Sequence, residues 1–574
     1  MKIILAEHSG FCMGVRNAVI KIVHELNSTS EKIYIHGPLI HNPQTVEALK
    51  KRGLIPVTKD DDYHNKPIAI RTHGIPYNEN KNIKNKASRT INLTCSRVSR
   101  VQSIIKKYSA KGYYTLICGD KDHAEVTSLK SYASKGFSIL TQLDDIDNVP
   151  SKKKYLLVSQ TTYDREFLKE VEDVLNKKKL EILTFDTICD STKLRQDDVY
   201  KAIDEGIDTL VVIGGKNSAN TTRLVEIGEF NKIKTIHIET EEELIQENFN
   251  NSEFVLVTAG ASTPGWIINN VLEKIYHFKY QKGNFLKNKF KTLFEMMVRT
   301  HFLTSISASL LSIIFQIHTT KSINILFPII TFFYLFSMFS INNILEIYFL
   351  KASNALKYNI YKKFKIPMLF ISFVFIILII YTTLLINFEI FLFFILMLLS
   401  GAIYSTGIIK KLIQNINNNL FRKIYHSKIV ISGGAALTIT IPILIIDYNI
   451  SLLVLLFYSF AFFYIRQNLI DLIALNSDLI LGKESIPVVL GKDLNYKLSI
   501  VIISLGIIVP LILSIMYKSL LIILLVTPLF YFAFLLKKMV NTKYLFAVKN
   551  EFLVDYSAFF LFIITIIELI IFIA

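Results

Sequence analysis

Two hydrophobic rhythms divide the chain near residue 300. Before it, short apolar runs of strand length alternate with stretches whose apolar residues recur at helical spacing; after it, apolar segments long enough to span a bilayer follow one another. The first rhythm predicts strands at Lys2–Ala6, Lys32–Ile35, Pro67–Ile70, Tyr113–Cys118, Tyr155–Ser159, Thr209–Ile213, Lys234–Ile238 and Glu253–Thr258. Strands alternating with helices in this way predict α/β units with parallel sheets. The second predicts nine spans, near 300–317, 323–341, 366–386, 389–408, 429–446, 450–465, 498–516, 519–536 and 555–573.

Sites in parallel α/β folds form at the carboxyl ends of strands. The polar residues that follow the strands here are Gly10-Phe11-Cys12, His41-Asn42, Thr72-His73-Gly74, Thr94-Cys95, His123-Ala124-Glu125, Gln160-Thr161-Thr162, Cys189, Asn217-Ser218-Ala219-Asn220 and Ala259-Gly260-Ala261-Ser262. The stretch Gly10-Phe11-Cys12-Met13-Gly14-Val15 sets a thiol between two glycines, which let backbone approach a bulky group without a Cβ in the way. A lone thiol in such a turn reads as a buried structural residue; Cys12 differs by its company. The inventory contains thiolates for a metal cluster, histidines with small hydroxyl and amide residues for an anion, and a glutamate beside a histidine for proton delivery. Three thiolates around a four-iron cluster leave one iron open to substrate.

Four cysteines in 574 residues are too few and too dispersed for a secreted disulfide framework, so a reduced, cytosolic setting is expected for the first half. The net charge of +17 lies largely in loops between membrane spans and is no nucleic-acid signature.

The first 276 residues resemble 4-hydroxy-3-methylbut-2-enyl diphosphate reductases, the LytB-type enzymes that end the methylerythritol phosphate route to isoprenoids. The resemblance implies an α/β trefoil of three small α/β lobes around a 4Fe–4S cluster, with Cys12, Cys95 and Cys189 as its ligands. It implies diphosphate binding by His41, His73, His123, Ser218, Asn220 and Ser262, a proton relay through Glu125, and Thr161 near the substrate hydroxyl. A reduced ferredoxin or flavodoxin-like donor would supply electrons. Cys118 has no counterpart as a ligand and is expected as a buried strand residue. The chain departs from the family pattern at Ala219, where a second serine is usual, at Ser96, where proline is common, and at Asn92-Leu93.

Residues 277–297 carry lysines interleaved with Phe285, Leu286, Phe290, Leu293 and Phe294, a basic amphipathic linker suited to an anionic lipid surface. With the first span entering from inside, the loop cations, among them Lys357, Lys410, Arg422, Arg466, Lys492 and Lys537, fall on the inner side; Lys321 and Lys518 fall outside. The positive-inside rule then gives a multi-pass protein of the cell membrane whose N-terminal half is cytoplasmic.

Two inner loops are expected to carry acids: Asn342-Asn343-Ile344-Leu345-Glu346 after the second span, and Asp471 and Asp478 after the sixth, followed by Lys483 and Ile486-Pro487. Carboxylates at membrane ends can hold Mg²⁺ against a diphosphate. Residues 298–574 resemble the UbiA-type intramembrane prenyltransferases, which implies an all-α nine-helix bundle with Glu346, Asp471 and Asp478 as its Mg²⁺ carboxylates. The acidic motifs are thinned at Asn343, Leu350 and Ala474. Three function classes follow: the reductase with a fused prenyltransferase-like half, a protein that is mainly an intramembrane prenyltransferase, and a membrane-tethered iron-sulfur sensor. The full cysteine and Glu125 set favours the first, since a sensor has no use for histidines arranged around an anion.

Overall fold

The computed structural model describes residues 1–29, 31–40, 42–58, 64–152, 154–216, 218–281, 285–347, 350, 354–406, 428–481, 485–542 and 547–573. The chain forms two compact units, one of Met1–Tyr276 with Ile480–Gly482, the other of His277–Leu479 with Lys483–Ala574.

In order, the first unit runs β1 (Lys2–Leu5), α1 (Met13–Ser28), β2 (Ile33–His36), α2 (Pro43–Lys51), β3 (Leu54–Val57), β4 (Pro67–Ile70), α3 (Tyr77–Lys86), β5 (Arg89–Asn92) and α4 (Ser96–Ala110). It continues through β6 (Tyr114–Cys118), α5 (Ala124–Lys130), β7 (Phe137–Leu140), β8 (Tyr155–Ser159), α6 (Arg165–Lys177), β9 (Ile182–Thr184) and α7 (Asp190–Asp204). It ends with β10 (Thr209–Ile213), α8 (Ala219–Phe230), β11 (Lys234–Ile238), β12 (Phe254–Ala259) and α9 (Gly265–Gln281). The strands form three four-stranded sheets, ordered β3-β2-β4-β5, β7-β6-β8-β9 and β1-β12-β10-β11, and every pairing is parallel.

These are three copies of one lobe. Counting strands within a lobe as first to fourth, each sheet is ordered second, first, third, fourth; in the last lobe β10, β11 and β12 are the first three, and β1 returns from the N-terminus as the fourth. The central strands are mostly apolar because helices cover both faces: β6, β8 and β10 are buried at every position. The helices bury one stripe, as α6 does with Leu168, Val171 and Leu175 after Asp164 caps it by accepting the Glu166 N–H at 2.8 Å.

In the second unit, nine helices among the described residues are long and apolar enough to cross a membrane, from Phe302–Thr319 to Asn550–Ile573. The helices Lys365–Ile386 and Phe388–Thr406 expose Phe370, Phe373, Leu385 and Leu396, whereas Phe302–Thr319 and Ser451–Leu481 pack inside. Outward apolar side chains on outer helices suit lipid contact. The residues expected as a basic linker are helical where described, in α9 and in Phe285–Arg299.

One expectation is corrected. Arg466, Asp471 and Asp478 are not in a loop; the sixth span continues as a helix to Leu481, and Arg466 is buried against Asp555, with Nη2 at 2.6 Å and Nε at 2.8 Å from Oδ1. Polar residues at a helix end read as a loop when hydropathy alone sets the boundary. The seventh helix likewise starts at Ile486 rather than 498, kinked at Gly491, whose φ is 77°.

Candidate active site

The lobe repeat decides where the polar residues go. Cys12, Cys95 and Cys189 each follow the fourth strand of a lobe and each occupies the cap position of the next helix, α1, α4 and α7. Each also makes the same backbone hydrogen bond: Cys12 N–H to Ala261 O at 3.0 Å, Cys95 N–H to Thr72 O at 2.9 Å, and Cys189 N–H to Thr161 O at 2.7 Å. The three acceptors are themselves equivalent, standing two residues past strands that end at Ala259, Ile70 and Ser159. His123 and Ser218 are also equivalent, each five residues past a first strand, ending at Cys118 and Ile213, and each capping the following helix. The counterpart in the remaining lobe is His41, which lies outside the described residues.

A single cleft of about 160 Å³ gathers the three cysteines with His73, His123, Glu125, Thr161, Ser218, Asn220 and Ser262. It is also lined by Arg97, Ser191 and Thr192, which the sequence reading missed. Their signal was position: each lies within three residues of a cysteine that caps a helix, where the first turn faces whatever the cap faces.

The cysteines are free thiols, and helix N-termini point backbone N–H groups at them. Val15 N–H reaches Cys12 Sγ at 3.4 Å. Burial pushes the Cys95 and Cys189 thiols up, against the amides of Arg97 and Val98 in the first case and of Ser191 in the second. Gly14 keeps the space between the sulfurs open: a Cβ there would lie 2.5 Å from Cys95 Sγ and 3.9 Å from Cys12 Sγ. Three convergent thiols beside a backbone that admits no side chain fit a metal-sulfur group. Cys118, fully buried at the end of β6 and pushed up by burial to about 12, faces a hydrophobic cluster instead.

Glu125 is fully buried, and burial raises its carboxyl to about 7, with two hydrogen bonds from Thr161 pulling the other way. A carboxyl near 7 can give up and regain a proton at cellular pH. Its backbone N–H donates to His123 Nδ1 at 3.2 Å, and the His73 and His123 rings meet edge to face, 5.6 Å between centroids. Thr192 Oγ1 donates to Asn220 Oδ1 at 3.2 Å, which leaves the Asn220 amide hydrogens for another acceptor.

In the second unit, burial alone would lower the Lys428 ammonium, but the charges of Asp471, Glu346 and Asp478 hold it above its usual value. Among the described residues, the group that brings three ligand atoms within 4.8 Å of one another is Glu7, His8 and Asp198, not these acids. Asn343 is committed inside the protein, its amide donating to Phe339 O at 2.9 Å and Tyr361 OH at 3.1 Å. An apolar cavity of about 80 Å³ beside Asn342 is lined by Tyr334, Met338, Phe339 and Met397.

The family model described as LytB protein matches residues 3–276. Over 276 residues the chain is 39% identical to the 4-hydroxy-3-methylbut-2-enyl diphosphate reductase of Aquifex aeolicus, covering 48% of this chain and 95% of that one. The solved structure of an (E)-4-hydroxy-3-methyl-but-2-enyl diphosphate reductase, the terminal enzyme of the non-mevalonate pathway, is 38% identical, spans 48% of this chain and 99% of that chain, and gives a TM-score of 0.40. A UbiA homolog from Archaeoglobus fulgidus, solved with GPP and Mg²⁺, is 14% identical over 47% of this chain and 99% of that chain, with a TM-score of 0.34.

Proposed function

The chain belongs to the LytB family, and on that premise we propose that residues 1–276 act as a 4-hydroxy-3-methylbut-2-enyl diphosphate reductase. The substrate loses its hydroxyl as water, taking up two electrons and two protons, and leaves as isopentenyl or dimethylallyl diphosphate. The observation that carries the reading is the convergence of Cys12, Cys95 and Cys189 with the buried Glu125–Thr161 pair on one cleft.

In this reading the three thiolates hold a 4Fe–4S cluster, which when bound would supply electrons from a ferredoxin- or flavodoxin-like donor and an open iron for the substrate oxygen. Gly14 makes room for it. His73, His123, Ser218, Asn220 and Ser262, with His41 by family resemblance, hold the diphosphate through charge and hydrogen bonds. Glu125 delivers the proton, and Thr161, bonded to it, orients the hydroxyl that departs. Anaerobic purification followed by an assay for substrate-dependent reoxidation of the reduced cluster tests this; a reduced cluster that substrate leaves unchanged refutes it.

For residues 298–574 the proposal is a UbiA-like bundle that binds a prenyl diphosphate through Mg²⁺ at Glu346, Asp471 and Asp478, with residues 277–297 at the lipid surface and the reductase on the cytoplasmic side. The charge those carboxylates share at Lys428 and the apolar cavity beside Asn342 support it. Equilibrium binding of a long-chain prenyl diphosphate, with and without Mg²⁺, tests it; affinity indifferent to the cation counts against it.

A further inference from the structure

We propose that Arg195 is a positioning residue that fixes the spacing and the charge of the three-cysteine site by tying the loop of Cys12 to the helix that Cys189 caps. The proposal rests on reading the three cysteines as cluster ligands.

The lobe repeat supplies the first argument. Arg195 stands six residues past Cys189, and the residues six past Cys12 and Cys95 are Ala18 and Val101. All three are buried, at 4%, 4% and 1% exposure for Arg195, Ala18 and Val101. Two lobes fill this position with an ordinary core residue, and the third spends a buried cation on it. Burying a guanidinium costs more than it returns unless its donors are well matched, so a small apolar residue would have served packing alone better.

The contacts say what the cation is matched to. Arg195 Nη2 donates to Gly10 O at 2.5 Å, and Nη1 donates to Ser191 O at 2.7 Å and also to Ser191 Oγ. Gly10 lies two residues before Cys12, and Ser191 two residues after Cys189. One planar fork therefore joins the backbone flanking one ligand to the backbone flanking another, with the two hydrogen-bond directions fixed relative to each other. Gly10 is in the left-handed region, φ 85°, where a side chain would strain the loop that presents this carbonyl.

A second tie lies one turn further along α7. Asp198 accepts the His8 backbone N–H at 2.7 Å and faces His8 Nδ1 at 3.0 Å. At its other end α7 reaches the Cys95 helix through Asp190 and Arg97, 3.1 Å apart. Thus α7 connects to the segments carrying both other cysteines, and Arg195 is its buried connection. Second-sphere groups of this kind set ligand orientation, and a buried positive charge near a cluster favours its reduced state.

The test uses the full-length protein in detergent, purified anaerobically, as wild type, Arg195→Gln and Arg195→Lys. Iron and acid-labile sulfide per chain and the cluster midpoint potential are measured on the holoprotein. On metal-stripped protein in a Cys95→Ser, Cys118→Ser background, the rate at which a short bifunctional thiol reagent joins Cys12 to Cys189 is measured. Arg195→Gln is expected to weaken cluster retention roughly tenfold or more, the scale for ligand-orienting partners. It should also move the potential negative and slow the crosslinking. Arg195→Lys, which keeps the charge but not the fork, should hold the potential near wild type while retention and crosslinking still fall. Unchanged retention, potential and crosslinking in Arg195→Gln overturn the proposal. Should that variant fail to fold, unchanged retention and crosslinking in Arg195→Lys overturn it equally. Wild-type protein that takes up no iron sinks the three-ligand reading instead, and the crosslinking comparison, made without iron, keeps the two failures apart.

Discussion

Thr161 satisfies both oxygens of Glu125, its amide N–H reaching Oε1 at 2.7 Å and its hydroxyl reaching Oε2 at 2.9 Å. The carboxyl is thereby held in one orientation and is itself buried from solvent at the wall of the cleft. Glu125→Gln keeps the size and the acceptor oxygen but removes the acid, so turnover should fall on the order of a hundredfold or more while substrate still binds. Single-turnover kinetics beside equilibrium binding separate the two effects, and near-normal turnover would take Glu125 out of the proton path.

The same pair predicts a pH profile. Burial raises Glu125 from 4.5 to about 7, so the proton is in place below that value and turnover should decline as pH rises through it. Because the folded pKa lies above the unfolded one, the stability this group contributes is complete below the unfolded value and is lost as pH climbs through about 7. Thr161→Val removes one bond that favours the carboxylate, which should shift the alkaline limb to higher pH. A shift to lower pH would contradict the assignment.

Gly14→Ala isolates the space between the thiols. Alanine is the better helix former by about 1 kcal/mol in a helix interior, which offsets part of the strain its Cβ brings against Cys95, so the metal-free protein should still fold. The added Cβ would stand 2.5 Å from Cys95 Sγ, so iron content after reconstitution should drop sharply. Full occupancy in this variant would mean that the cysteines hold nothing between them.

Cys12→Ser, Cys95→Ser and Cys189→Ser should each abolish cluster assembly, since an alcohol replaces a thiolate, while Cys118→Ser leaves the visible spectrum intact. Alkylation of native metal-free protein near neutral pH should spare Cys118, whose thiol burial pushes to about 12. Equal loss of the cluster from Cys118→Ser would end the three-ligand account.

In the membrane unit, Ala474 is the informative position. It lies on the helix that carries Asp471 and Asp478, about one turn from each, so Ala474→Asp can add a carboxylate to the same face. It should tighten Mg²⁺-dependent binding of a long-chain prenyl diphosphate, measured by calorimetry in detergent. Asn343→Asp is expected to help less, because it gives up the amide donors to Phe339 O and Tyr361 OH. An unchanged affinity in Ala474→Asp would remove this face from the binding site.

What the sequence made legible follows burial. The eight strands anticipated from apolar runs are all present, including the edge strands β1 and β11, and the four missed, β3, β5, β7 and β9, are all sheet edges. Edge strands have one side free of partners, and β5 and β9 mix exposed or half-buried positions, so no continuous apolar run marks those two, while β3 is apolar but short and interrupted by Pro56. The site residues were legible one by one because each follows a strand. Their three-fold equivalence was not, because the lobes share hydrogen bonds and strand order without sharing residues: the acceptors that match are Thr72, Thr161 and Ala261. Arg195 escaped for a related reason, since an arginine on a helix reads as surface until packing buries it.

The pairing of β1 with β12 bears on how the protein is made. Cys12 is synthesised well before β12, yet the sheet that steadies its loop is complete only when Phe254–Ala259 arrives, since Lys2 sits beside Phe254 and Cys12 bonds to Ala261. The lobes of β2–β5 and β6–β9 use contiguous chain and can form during synthesis, whereas the last must wait for a contact spanning nearly the whole unit. Cys12 therefore joins the other two cysteines of the cleft last. A nascent chain cut short of β12 holds two lobes and an unfinished three-cysteine cleft, so under the proposed function metal loading would follow synthesis of β12.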